Sequence, residues 1–111
     1  MALTRDFKKT ILERALKDPK FRCGLLISAV NEFLIGEFGS TKMLMRDYIN
    51  ATIGFSKLAK KLGKNDKTIQ RMFSNKGNPT SENLCAILKI LQQQEGIELQ
   101  TRRSKNDSRA A

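Results

Sequence analysis

Lys57, Lys60, Lys61, Lys64, Lys67, Arg71 and Lys76 crowd into residues 54–78, where Asp66 is the single opposing charge. That stretch alone carries +6 of the chain's net +10. Cations at this density neutralise polyanions, and nucleic acid is the first candidate. Among them stand Asn65, Thr68 and Gln70, whose side chains make directional hydrogen bonds. Gln70 is suited to adenine N6/N7 and Arg71 to guanine O6/N7, each contact worth about 1–3 kcal/mol of discrimination. Lys67, Thr68 and Asn65 suit either a base or a phosphate. Lys57, Lys60, Lys61, Lys64 and Lys76 are candidate phosphate neutralisers, which set affinity and salt dependence rather than sequence choice. Lys60 and Lys61 are adjacent, so in a helix they point about 100° apart and cannot face one duplex equally.

The remaining composition excludes most other chemistry. Among 111 residues there is no His and there are two Cys, so a Ser-His-Asp triad, a Cys-His dyad and any His- or all-Cys zinc site are ruled out. Asp6, Glu13, Asp18, Glu32 and Asp47 are scattered and form no pair suited to acid–base work or metal binding. We therefore expect no enzyme, no metal and no cofactor. Cys23 and Cys85 each fall inside an apolar helical pattern and read as buried small hydrophobes in a reducing compartment. The first twenty residues are charged throughout, unlike a signal peptide. The apolar stretch 21–38 is interrupted by Arg22, Asn31, Glu32 and Glu37, too often to span a bilayer. A cytoplasmic protein without membrane contact is expected.

The elements that must position the basic segment are helical. Phe7, Ile11, Leu12, Ala15 and Leu16 make one helix face over 4–17, with Thr4 as N-cap and Asp18-Pro19 as its end. A second helix, about 20–36, is apolar around most of its circumference. Such a helix is either the central core helix or part of a subunit interface. Gly36 and Gly39 close it. Ser40 caps a third, to about residue 53, with Leu44, Met45, Tyr48, Ile49 and Thr52 inward and Lys42, Arg46, Asp47 and Asn50 in water. Phe21, Phe33 and Phe38 read as core or dimer interface. Thr80 caps a helix over 81–94, with Leu84, Cys85, Ile87, Leu88 and Leu91 as its apolar side and Gly96 as its stop. Ile97–Thr101 alternates like one short strand, which needs a partner from another subunit. No internal repeat is evident.

Between the third and last helices the pieces are short: 55–62 and 66–74, separated by Gly63-Lys64-Asn65. Leu58, Ala59 and Leu62 give the first an apolar edge, with Ala59 small enough for a close crossing. Gly63 supplies the positive φ of a tight turn, and Asn65 is placed to cap the second piece. Ile69, Met72 and Phe73 point back to the core. Two helices joined by a three-residue turn with Gly form a helix-turn-helix.

The stretch resembles the helix-turn-helix of phage-repressor-like (lambda-repressor-like, Xre-type) DNA-binding domains. The shared pattern is Leu58, Ala59, Leu62, Gly63 and Ile69, with Gly77-Asn78-Pro79-Thr80-Ser81-Glu82-Asn83-Leu84 as its continuation. Arg71-Met72-Phe73-Ser74, Gly77-Asn78-Pro79 and Gly96-Ile97-Glu98-Leu99 are similar to the probable addiction-module antidote (antitoxin) proteins. The resemblance covers about residues 44–100. Two positions depart from it: Lys64 stands where an aliphatic residue is preferred, and Phe55 where many relatives carry Gln. The resemblance implies a recognition helix, residues 66–74, laid in the major groove with its N-terminal turns at the base edges.

The expectation is an all-α chain: a lambda-repressor-like helix-turn-helix domain with a two-helix N-terminal extension and a short C-terminal strand. Residues 1–39 form the extension, 40–101 the DNA-binding domain and 102–111 a disordered tail. One unit reads too few base pairs for useful specificity, so a homodimer on a palindromic operator of double-stranded DNA is expected. Its interface is the second helix or the strand. An antitoxin-type autorepressor has, in addition, a toxin protein as partner. The competing reading is a protein-binding inhibitor gripping its target through residues 1–53, with DNA contacts secondary. An RNA-binding module would need an exposed aromatic stacking surface, which the basic segment lacks.

Overall fold

Asp18 breaks one helical run and starts the next, because Pro19 cannot continue a helix but suits its first turn. The Asp18 carboxylate accepts from the N–H groups of Lys20 and Phe21 at 3.0 and 3.2 Å. A computed structural model describes residues 2–104 of the chain. Among the described residues six helices follow one another: α1 (Ala2–Lys17), α2 (Pro19–Leu34), α3 (Phe38–Ala51), α4 (Phe55–Leu62), α5 (Asp66–Met72) and α6 (Ser81–Glu95).

α1 and α2 pack on each other and on α3, α5 packs on α4, and α6 closes against α4. One core runs through all of it: Leu26, Met45, Tyr48, Ile49, Leu58, Ile69, Phe73, Ile87 and Leu91 are fully buried and belong to a single cluster. Ala59 is buried as its small size requires. Phe55 is half-buried against Phe73, ring centroids 6.1 Å apart, which accounts for an aromatic at that position.

Several boundaries differ from the sequence expectation. Thr4 lies inside α1, and α3 begins before Ser40, at Phe38, with Glu37 as its cap residue and no side-chain cap bond. Gly39 is therefore in the first turn of α3, while Gly36 at φ 86° closes the end of α2. The short strand is absent among the described residues. Its alternation has another cause. Ile97 and Leu99 both pack on the core, and the Leu99 N–H donates to the Gln92 side-chain oxygen at 2.7 Å. The segment is thus satisfied within its own subunit, folded back on α6. Residues 102–104 are exposed and irregular, and the rest of the expected tail, 105–111, lies outside the described residues.

Side-chain environments also depart. Cys85 is exposed and Cys23 half-buried, so neither is the buried hydrophobe expected. Lys42, Arg46 and Asp47 are half-buried rather than in water. Only Leu25, Leu26 and Ala29 of α2 are buried. Its far end stays open: Leu34 is 62 % and Ile35 59 % exposed, Phe33 is exposed as well, and so is Met43 on α3. Phe33 stacks edge-on against Phe38, centroids 6.0 Å apart, and Phe21 lies under the Arg14 guanidinium at 4.5 Å.

Two groups tie the ends of the chain together. The Arg22 Nε donates to both Glu95 oxygens at 2.9 and 3.0 Å, and its Nη1 to the Ala15 carbonyl at 2.9 Å. The Tyr48 hydroxyl donates to the same carboxylate. Helices α1, α2, α3 and α6 thus meet on one part-buried ion pair.

Candidate nucleic-acid interface

The turn between α4 and α5 follows from two residues. Gly63 takes the left-handed conformation at φ 69°, and the Lys64 N–H reaches back to the Ala59 carbonyl at 2.9 Å. This is a Schellman-type ending, which needs a residue without Cβ strain at Gly63. Asn65 then caps α5, its side-chain oxygen accepting from the Lys67 N–H at 2.8 Å. That oxygen is committed to the helix start, so the part of Asn65 left for a partner is its amide NH2.

The expected site residues all lie on the α4–turn–α5 surface or the loop after it. Lys57, Lys60 and Lys61 are exposed on α4, Lys64 in the turn, Lys67, Thr68, Gln70 and Arg71 on α5, and Lys76 in the following loop. On α4, Lys57, Lys60 and Lys61 recur at i, i+3 and i+4, and on α5 Lys67 and Arg71 at i, i+4. Like charges at those spacings repel by a few tenths of a kcal/mol, which a bound anion relieves. Among the described residues none of these cations has a carboxylate within salt-bridge reach.

The structure also joins groups that the sequence left apart. The Ser56 hydroxyl, at the start of α4, donates to one Asp66 oxygen at 2.7 Å. The Gln70 amide nitrogen donates to the other at 2.6 Å. The two hydrogen bonds, Ser56 first, hold the Asp66 carboxyl below its ordinary range. Asp66 and Gln70 at i, i+4 was a readable pair; Ser56 was not, because it sits ten residues away across the turn. A groove of about 410 Å³ runs past this cluster, lined also by Arg46, Asn50, Phe55 and Ser74.

The far end of α5 is held by α3. The Lys42 ammonium donates to the carbonyls of Ser74 at 2.9 Å and Gly77 at 2.8 Å, and Arg46 Nη1 lies 3.5 Å from the Phe73 carbonyl. Cations at a helix C-terminus complement its dipole and fill its orphan acceptors. Nothing in the helical periodicity of α3 signals this, since Lys42 and Arg46 fall on its polar side.

Residues 52–95 match a family described as Helix-turn-helix. No curated protein matches the chain, and no solved structure does. The matched stretch covers α4, α5 and α6 and leaves α1, α2 and α3 outside. The family points to DNA binding in transcription regulation. Among the described residues no helix is long and apolar enough to cross a membrane, and no His, Cys, Asp or Glu cluster could hold a metal ion.

Proposed function

We propose that this protein is a sequence-specific DNA-binding transcription regulator, acting in the cytoplasm as a homodimer on a palindromic operator and repressing its own expression. The observation that carries the reading is the exposed, carboxylate-free cation surface on α4 and the turn, flanking the polar face of α5. Residues 40–101 act as the DNA-binding domain and residues 1–39 as the extension that pairs two copies. Lys67, Thr68, Gln70, Arg71 and Asn65 contact bases, and Lys57, Lys60, Lys61, Lys64 and Lys76 contact phosphates. The antitoxin-type form, with a toxin protein as partner, draws its support from the resemblance of residues 71–74, 77–79 and 96–99.

Fluorescence anisotropy on the duplex upstream of its own reading frame, against a scrambled duplex at two salt concentrations, tests this. Arg71→Ala should cost about 1–3 kcal/mol, roughly 5- to 150-fold, on the specific duplex alone. Lys57→Ala and Lys60→Ala should weaken both duplexes and flatten the salt dependence by about one unit of slope each. Equal, salt-labile binding to both duplexes by the unaltered protein would sink the reading.

The open end of α2 favours the competing inhibitor reading as well as the dimer. A second copy covering Phe33, Leu34, Ile35 and Met43 makes Leu34→Glu monomeric by analytical ultracentrifugation, with weaker operator binding. A monomeric unaltered protein would shift the weight to a different protein as the occupant of that face.

A further inference from the structure

We propose that Asp66 is a positioning residue for base selection: by holding the Gln70 amide in one orientation, it makes α5 prefer adenine over guanine at one base pair. The proposal rests on the DNA-binding reading above and deepens it.

A carboxylate only accepts hydrogen bonds, so the Gln70 atom facing Asp66 must be the amide nitrogen. One hydrogen of that NH2 is spent on Asp66. What remains for a base is one N–H donor and the Oε1 acceptor. Adenine presents the complement in the major groove, the N7 acceptor beside the N6 amino donor. Guanine presents two acceptors, N7 and O6. A free Gln70 could turn both amide hydrogens to guanine; a tethered one has a single hydrogen left and sets its oxygen against O6.

The tether itself is anchored. The second Asp66 oxygen accepts from Ser56, which belongs to α4, so the carboxylate cannot rotate away without losing that bond. Asp66 opens α5 and Gln70 lies one turn later. The bond therefore draws the amide toward the helix N-terminus, the end that meets base edges in this geometry. An aspartate carboxyl is ionised at neutral pH, hence a pure acceptor, and the bonds from Ser56 and Gln70 only lower its pKa further. A carboxylate on a DNA-facing helix is repelled by phosphates, so the residue lowers affinity while it sharpens choice.

The test is selection from a pool of duplexes with randomised positions, read by sequencing, with helical content and melting checked by circular dichroism. The unaltered protein should enrich adenine at one position, and Gln70→Ala should erase that preference. Asp66→Ala should lower the adenine-to-guanine ratio there by about ten-fold, with equal or tighter overall binding and other positions unchanged. Asp66→Asn, which can still accept from Gln70 in one of its two amide orientations, should restore part of the ratio, and Ser56→Ala should lose part of it. Asp66→Ala keeping the ratio within two-fold overturns the proposal. So does a change at a base pair other than the one Gln70 controls, which would make Asp66 a base contact. So does an Asn variant no better than Ala, which would leave only a charge effect. Enrichment of no motif by the unaltered protein overturns the DNA reading itself and the proposal with it.

Discussion

Gly77→Ala should destabilise the protein by roughly 3 kcal/mol or more, lowering its melting temperature by about 10–20 °C. A Cβ built on Gly77 would lie 1.8 Å from the Arg71 carbonyl oxygen and 2.8 Å from the carbonyl carbon. Both are backbone atoms, so no side chain can swing aside. The loop or the end of α5 must move. Either movement breaks what is made there: the Ser74 hydroxyl on the Arg71 carbonyl at 2.8 Å, the Gly77 N–H on the Ser74 oxygen at 3.2 Å, and the Lys42 ammonium on the Gly77 carbonyl. Gly24→Ala is the matched control. It sits inside α2 with nothing within 4 Å of the added carbon, so it should stabilise by about 0.5–1 kcal/mol. Thermal unfolding by circular dichroism decides both, and a Gly77→Ala melt equal to that of the unaltered protein would mean the close approach is not real.

Glu95→Gln should cost about 3 kcal/mol at neutral pH, because it leaves the Arg22 guanidinium without its counter-charge. The Glu95 side chain is 8 % exposed and that of Arg22 22 %, so water compensates little. The pH dependence gives the sharper check. Burial pushes the Glu95 carboxyl up, but the Arg22 ion pair and the Tyr48 hydroxyl outweigh it and hold the group below its ordinary 4.5. A depressed carboxyl contributes stability above its ordinary value and loses it as pH falls through the folded one. The gap in stability between the unaltered protein and Glu95→Gln should therefore be full at pH 7 and close progressively below about pH 4.5. Burial, and then the bond to Glu95, push the Tyr48 hydroxyl up from 10, so its share is lost only as pH rises beyond 10. A gap that stays constant through the acid range would mean that the ion pair contributes nothing and the loss is one of packing.

The parts of this fold that were legible in sequence are those governed by short-range chemistry. Gly63, Asn65, Thr80 and Gly96 stand at the helix ends expected of them, because a cap or a left-handed residue acts within three or four positions. Asp66–Gln70 was within the same reach. What stayed illegible depends on pairs far apart along the chain. Lys42 and Arg46 looked solvated because their partners are carbonyls some thirty residues on. Ile97–Thr101 looked like a strand because alternation reports one buried face, not which element covers it. Cys85 was placed on the apolar side of α6 by its residue type, while the structure puts the helix's buried line through Leu84, Ile87 and Leu91.

The junction at Glu95 bears on how the protein can be dissected. The matched stretch ends on that carboxylate, yet both of its hydrogen-bonding partners, Arg22 and Tyr48, lie before residue 52. A fragment trimmed to the matched residues would carry off an anion shaped for burial and leave its cation behind. The unit of recognition and the unit of folding are therefore not the same piece of chain. Grafting the matched half of this protein onto another scaffold means carrying α2 and α3 with it, or redesigning position 95 first.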